Sequence, residues 1–235
     1  MIVDLHSHIL PKMDDGSASI AESLELLRMQ WEQGIHTVVA TPHFYAHRDQ
    51  PEAFLQRRNA SFAQLEEAMQ DQAQMPRIYL GAEVYYFQGM SDSEKLQQLT
   101  IGDSPYILVE MPMVRWTDRM YDELQQISYK QGLTPIVAHV DRYFSPFSSH
   151  RIPQRLEELP VLVQANASFF LEKASRRKAI KMLKRNQIQL LGSDCHNTQT
   201  RRPNLGYAVN VIGRELGQDA LESIAACQKQ VLNYV

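Results

Sequence analysis

Short apolar runs alternate with longer amphipathic stretches along the chain. Runs of strand character stand at MIVDL (1–5), HTVVATP (36–42), RIYLG (77–81), YILVEM (106–111), TPIVAH (134–139), VLVQAN (161–166) and IQLLG (188–192). After the first run, Ile20, Leu24, Leu27 and Trp31 recur at helical spacing, with Ser19-x-x-Glu22 as a capping box and Gly34 as a stop. A second helix is expected over about residues 51–73, with Phe62, Leu65 and Met69 on one face. Helical stretches separate most of the remaining runs. Seven strands in β/α alternation predict an α/β fold built on a parallel sheet or barrel. No linker, low-complexity tract or internal repeat divides the chain, so residues 1–235 read as a single domain.

The residues that end the runs carry the chemistry. The first run leads into His6 and His8, the second into His43, the third into Glu83 and the fourth into Glu110. The last three lead into His139, Asn166 and Asp194-Cys195-His196. Parallel barrels and open α/β sheets gather their functional groups at the carboxyl ends of the strands. Each residue taken alone has a bland structural reading. Together, five of the eight histidines and the carboxylates Asp15, Glu83, Glu110 and Asp194 converge on one edge. Burying so many polar groups without a cation costs several kcal/mol for each poorly paired charge. A polynuclear metal site removes that conflict, and mixed imidazole and carboxylate donors suit Mn²⁺, Fe, Zn²⁺ or Mg²⁺.

Composition narrows the class. The 235 residues are 44% hydrophobic and 22% charged, ordinary for a globular protein, with a formal charge of −3. That balance argues against broad attraction to nucleic acid or to anionic membrane. No apolar run approaches the roughly 18–20 residues that span a bilayer, and no secretory signal opens the sequence. Two cysteines, Cys195 and Cys227, are too few for a disulfide framework. A cytoplasmic setting is expected.

The stretch GSDCHNTQTRR (192–202) raises a competing chemistry, since Cys195 and Arg201 stand at the C-x5-R spacing of cysteine-dependent phosphatases. Such a loop wraps phosphate with backbone N–H groups and usually needs glycine among the five intervening residues, which are His-Asn-Thr-Gln-Thr here. Asp194 beside the thiol raises its pKa, the opposite of what a nucleophile needs. Cys195 is therefore expected to turn away from the site, and Cys227, spaced with Ile224 and Val231, to sit in the core.

The successive motifs DLHSHILPKMDDG, ATPHF, GAEVYY, LVEMP, AHVDRY, QANAS and GSDCHN resemble those of the polymerase-and-histidinol-phosphatase (PHP) domain. More closely, they resemble its bacterial tyrosine-phosphatase branch of the CpsB/YwqE type, encoded with capsule and exopolysaccharide genes. The likeness runs in order from Met1 to about Pro203, and the last thirty residues add little to it. It implies a distorted (β/α)7 TIM-like barrel and three divalent metal ions, with Mn²⁺ the first expectation. It also implies hydrolysis of phosphotyrosine on a tyrosine autokinase, on a tyrosine-containing tail, by a hydroxide held on the ions.

Carried over by motif, His6, His8, Glu110 and Asp194 would hold the first ion. Glu110 would bridge to a second, with His139 and Glu83. Asp15, His43 and His196 would hold the third, within reach of Glu83. Asp15 follows the family spacing, with Asp14 left as a supporting or turn residue, and Asn166 falls near the site. Arg142 and Arg201 match arginines that grip the substrate phosphate, although Arg202 is placed to stand in for Arg201. The bland reading is that each makes a salt bridge, with Asp141 or another acid. His196 is also a candidate to assist departure of the phenolate. The segment EMPMVRWTDR after Glu110 departs from the family pattern.

Two further stretches invite smaller readings. Arg177, Lys181 and Lys184 fall on one helical face, which is either simply solvated or steers an acidic kinase tail. The stretch 43–51 is expected to form a loop over the site, in which Phe44 and Tyr45 either line a phenyl pocket or pack structurally. Two other functions compete: a PHP-type phosphatase of a small ester such as histidinol phosphate, and a non-catalytic phosphotyrosine-binding regulator. Self-association into a homo-oligomer is compatible with every feature of the sequence.

Overall fold

The computed structural model describes residues 2–144 and 151–232. Nine parallel strand segments occupy seven strand positions. The segments are β1 (Asp4–Ser7), β2 (Thr37–Ala40), β3 (His43–Phe44), β4 (Arg77–Leu80), β5 (Glu83–Tyr85), β6 (Tyr106–Glu110), β7 (Thr134–Val137), β8 (Leu162–Asn166) and β9 (Leu190–Gly192). They pair as β1-β2-β4 and as β3-β5-β6-β7-β8-β9, every pair parallel. β3 continues β2 after a break at Thr41-Pro42, and β5 continues β4 after Gly81-Ala82. The ladder runs across both breaks, with Gly81 N donating to Ala40 O (2.8 Å) and Glu83 N to Pro42 O (3.0 Å).

The sheet curls until the extension of β9 meets β1. Ser7 and Cys195 form a parallel bridge, Asp194 N donates to His6 O (2.8 Å), and His8 N donates to Cys195 O (2.9 Å). The alternation of elements predicts a parallel sheet or barrel, and the family resemblance the distorted seven-stranded form seen here. Met1, at the head of the first predicted run, lies outside the described residues.

Strand periodicity divides the apolar residues into two layers. Val3, Leu5, Val39, Leu108, Ile136 and Leu190 pack inside the barrel, with Ile101 and Val231 in the same cluster. Val38, Val84, Ile107, Val109, Val137, Val163 and Leu191 face outward and pack with helix residues such as Leu26, Leu27, Phe54, Leu124 and Ile127. Those helix residues belong to α1 (Ile20–Glu32), α2 (Pro51–Met69) and α3 (Asp118–Gln131). Next come α4 (Ile152–Glu157), α5 (Ala167–Leu171), α6 (Arg176–Lys184), α7 (Leu205–Leu216) and α8 (Gln218–Leu232).

α1 begins as its sequence predicts. The Ser19 hydroxyl accepts from Glu22 N (3.2 Å), while the Glu22 carboxylate reaches back to Ala18 N (2.9 Å), and Gly34 follows at φ 78°. α8 seals one end of the barrel against β1, where the buried Gln228 amide accepts from Val3 N (2.9 Å) and donates to Val3 O (2.6 Å). Cys227, on the same helix, is half-buried beside the inner cluster rather than fully in the core. Among the described residues, no helix is long and apolar enough to cross a membrane.

Candidate metal centre

A bulge sets the first two ligand candidates. From Asp4 to Ser7 β1 advances three residues, while its neighbour advances two, from Val38 to Ala40. The extra residue shifts the alternation, so Leu5 stays in the inner cluster while His6 turns toward His8. Gly192 makes room for this: a Cβ there would lie 2.6 Å from His6 Cβ and 2.9 Å from Gln164 Nε2. His139 (φ 30°) and Asp194 (φ 53°) both occupy the left-handed region that non-glycine residues avoid. Asp194 is held there by its N–H bond to His6 O, and His139 by donation of its N–H to Gln164 Oε1 (2.7 Å).

The strand ends bring every metal-ligand candidate into one cluster. Glu83 lies at its middle, with Oε2 at 3.2 Å from His6 Nε2, 3.3 Å from His8 Nε2 and 2.9 Å from His43 Nδ1. Its other oxygen is 2.9 Å from His139 Nε2. Glu110 approaches His139 (3.5 Å) and His43 (3.9 Å). Asp194 Oδ1 lies 3.7 Å from His6, 3.5 Å from His8 and 3.6 Å from His196. Asp15 stands at the open side, 3.5 Å from both His43 Nε2 and His196 Nε2.

Asp14 and Asp15 have separate positions. Asp14 accepts from His8 Nδ1 (2.7 Å), His43 N (2.9 Å) and Gly16 N (2.9 Å), so its oxygens are already engaged. Asp15 is largely exposed and faces two imidazoles.

The protein's hydrogen bonds also select the tautomers. His8 Nδ1 bonds Asp14, His6 Nδ1 faces Gln164 Oε1 (3.3 Å), and His196 Nδ1 bonds the Asp194 carbonyl (3.0 Å). Each Nε2 is then left with a lone pair aimed inward, in the arrangement typical of metal-binding histidines. His6 Nε2 and His8 Nε2 meet at 3.1 Å, where two lone pairs repel unless a cation or proton lies between them. His139 Nδ1 and His196 Nε2 are buried without a hydrogen-bond partner, and His43 Nδ1 and Glu83 Oε2, 2.9 Å apart, meet without good hydrogen-bond geometry. Among the described residues, three-donor groups with ligand atoms within 4.8 Å of one another form at His6-His8-Asp194, His8-His43-His196, His43-Glu83-Glu110 and Asp14-Asp15-His43. The donor set fits divalent cations.

The proton equilibria reflect this crowding. Burial opposes a charge on His8, but the hydrogen bonds and charges of Asp14 and Glu83 outweigh it and push the pKa up to about 10. His139 rises to about 9 against the same opposition, through Glu110 and Glu83. Burial, then the nearby His8, press His196 down to about 4. Burial would raise the Glu83 and Asp194 carboxyls; His6, foremost among their imidazole neighbours, holds both well below the usual range.

Both predicted arginines reach the cluster. Arg142 pairs with Asp194 and lies 4.0 Å from Glu110, so it does make a salt bridge, with a buried acid of the cluster rather than with Asp141 or a surface acid. Arg201 Nη2 donates to Asp194 (2.8 Å), and its Nη1 lies 3.9 Å from Asp15. Asn166 Nδ2 donates to the same carboxylate (2.9 Å).

A family model described as "Capsular polysaccharide synthesis, CpsB/CapC" matches residues 2–232. The chain belongs to the CpsB/CapC family. It is 30% identical over 225 residues to the tyrosine-protein phosphatase CpsB of Streptococcus pneumoniae, covering 92% of this chain and 91% of that protein. Identity to the tyrosine-protein phosphatase YwqE of Bacillus subtilis is 28% over 233 residues, covering 93% and 86%. A solved structure from work on YwqE and CpsB, described as unique metal-dependent tyrosine phosphatases, superposes with a TM-score of 0.84 at 23% identity, over 99% and 95% of the two chains. An organophosphorus hydrolase mutant shares the fold more distantly, with a TM-score of 0.53 at 13% identity, over 98% and 92%.

Within this CpsB/CapC chain, Cys195 lies away from the cluster. It is 1% exposed, with Sγ 3.8 Å from Gln30 Nε2, and burial followed by the charge of Asp4 pushes its thiol pKa up. The C-x5-R spacing is a coincidence of sequence. Phe44 is a packing residue, set edge-on against Phe54, while Tyr45 lies beside His43 and Tyr85. The stretch after His43 is partly strand and then turn, ending where Pro51 opens α2. Arg177, Lys181 and Lys184 are exposed along α6.

Sequence reasoning missed Gln164. Its Oε1 serves both His139 N and His6 Nδ1, its Nε2 donates to Asn166 Oδ1 (3.1 Å), and Asn166 in turn holds Asp194. The signal available was a polar side chain inside an otherwise apolar strand.

Proposed function

We propose that this protein is a metal-dependent phosphotyrosine phosphatase. The convergence of His6 and His8 on Glu83 and Asp194, with their Nδ1 atoms turned away to Gln164 and Asp14, carries the reading. In it, His6, His8 and Asp194 would hold one ion together with Glu83, which lies 3.2 and 3.3 Å from the two Nε2 atoms and takes the place that the motif likeness gave Glu110, and Glu83, Glu110 and His139 would hold a second. Asp15, His43 and His196 would hold a third, and Mn²⁺ is the first expectation among Mn²⁺, Fe, Zn²⁺ and Mg²⁺. Bound divalent cations would supply Lewis acidity and a water acidified for attack on phosphorus.

The chain's own groups do the rest. Arg142 and Arg201 present guanidinium forks suited to two phosphate oxygens. Asp194, which both arginines engage and which Asn166 Nδ2 holds in turn, keeps them at the cluster. Gln164 and Asp14 hold the His6 and His8 rings with Nε2 facing inward. His196, at about 4, is neutral near pH 7 and serves as a ligand rather than as a proton donor. A tyrosyl phenolate, with an ordinary pKa of about 10, departs without a strong acid.

The phosphatase names of the CpsB and YwqE relatives support the activity, and the family's description supports a place in capsular polysaccharide synthesis. The partner in this reading is a tyrosine autokinase phosphorylated on a tyrosine-containing tail. The test is turnover of a phosphotyrosyl peptide after chelation, with Mn²⁺, Fe²⁺, Zn²⁺ and Mg²⁺ returned separately, beside histidinol phosphate. Activity on the peptide that vanishes with chelator and returns with metal is expected. Preference for histidinol phosphate would move the function to a small ester, and full metal loading without turnover of any aryl phosphate would leave a binding regulator.

A further inference from the structure

Arg202 takes no part in the ion pairs that engage its neighbours. Arg142 and Arg201 both reach Asp194, whereas Arg202 is exposed and has no carboxylate partner among the described residues. It lines a cavity of about 550 Å³ beside the metal centre, between the ends of β8 and β9 and the start of α7. Arg142, Arg201 and Asp194 form the wall shared with the centre, and Ser168, Thr200 and Asn204 add polar lining. The Asn204 Oδ1 atom is buried without a hydrogen-bond partner.

The carboxylates that touch the cavity are already engaged. Asp141 accepts from Asn166 N (2.9 Å), and Asp194 is held by two guanidinium groups and by Asn166 Nδ2. What stays unmatched is one cation and one buried acceptor. The first is suited to a carboxylate or phosphate, and the second to an N–H donor. A peptide residue with an anionic side chain carries both groups. Tyr207, 56% exposed, adds an aromatic surface to the cavity's lining.

We infer that this cavity is a subsite for an anionic residue flanking the phosphotyrosine, with Arg202 gripping the side chain and the Asn204 amide turning from its buried position to accept a peptide N–H. The inference rests on the phosphatase reading for the position of the reacting phosphate. It directs the enzyme to acidic or multiply phosphorylated peptides rather than small esters.

Three phosphotyrosyl peptides test it, identical except for alanine, glutamate or phosphoserine beside the phosphotyrosine. With Mn²⁺-loaded protein, kcat/KM should be about fivefold higher for glutamate than for alanine, the scale of one partly exposed ion pair. Arg202→Gln should erase the difference and Arg202→Glu should invert it, each ratio being taken against the alanine peptide in the same variant. A gain with phosphoserine alone assigns the subsite to a second phosphate; a gain with both assigns it to anionic side chains in general. Wild-type indifference to the flank, or a preference that survives Arg202→Glu, overturns the inference. A binding arm keeps the two readings apart. Non-hydrolysable phosphonate versions of the peptides, followed by fluorescence anisotropy, decide the subsite even if nothing is turned over, a result that would sink only the phosphatase reading.

Discussion

His6 and His8 bring their Nε2 atoms to 3.1 Å of each other, while Gln164 and Asp14 hold the opposite ring nitrogens. With His8 raised to about 10, a proton lies between the two Nε2 atoms in the chelated protein, and a divalent cation would take its place. Metal should therefore stabilise the fold strongly. At a metal concentration a hundredfold above Kd, linkage gives about 2.7 kcal/mol, or roughly 5–10 °C in Tm for a chain of this size. Scanning calorimetry with chelator and then with Mn²⁺ or Zn²⁺ measures the shift, and an unmoved Tm would contradict the assignment.

Gln164 joins three of the proposed ligands through one amide. Gln164→Leu should weaken metal binding about 10–100-fold, the usual effect of losing a group that orients ligands. At saturating metal, kcat should recover much of its value. Titration of the chelated variant with Mn²⁺ reads the affinity, and wild-type affinity would assign Gln164 to packing alone.

Acidity should act differently on the chelated and loaded forms. His8 at about 10 and His139 at about 9 are raised above 6.5, so their contribution is complete below pH 6.5 and lost as pH climbs through 9 and 10. The lowered carboxyls of Asp14, Glu83 and Asp194 act in the other direction, losing their contribution only in acid. His196, at about 4, favours folding above 6.5 and so trims the acid side. The chelated protein should be most stable near pH 6.5 and weaken toward pH 10, whereas bound metal replaces the protons and flattens that decline. Urea midpoints at both pH values, with and without metal, check the sign.

Cys195→Ser should keep most phosphatase activity, because the thiol lies in the outer core and is protonated. His139→Ala should abolish activity. The reverse pair of results would restore a cysteine mechanism.

Gly192→Ala forces a methyl to within 2.6 Å of His6 Cβ. About 1–3 kcal/mol of overpacking is expected, with a loss of metal affinity that Gly81→Ala, whose nearest contact is 3.3 Å, should not share.

The strand count and the ligand candidates were legible because both are local: an apolar run, then a donor where it ends. Helix α1 was legible for the same reason, since Ser19, Glu22 and Gly34 act within a few residues. What escaped depends on which strands become neighbours. Gln164 matters only because β8 lies between β7 and β9, bringing its amide to His139 and, across the barrel seam, to His6. The β1 bulge and the breaks at Pro42 and Gly81 reflect curvature that no single strand encodes. Asp14 and Asp15 are chemically alike, and only the turn that brings His8 and the His43 amide to Asp14 gives them separate tasks.

The seam between β1 and β9 has a consequence for biosynthesis. Asp4 accepts a hydrogen bond from Ser193 N across 189 positions of sequence. A ribosome making this protein releases the first half of the seam long before the second half exists. The histidines near its start must therefore wait, exposed to whatever ions the surroundings offer, until nearly the last helices have emerged.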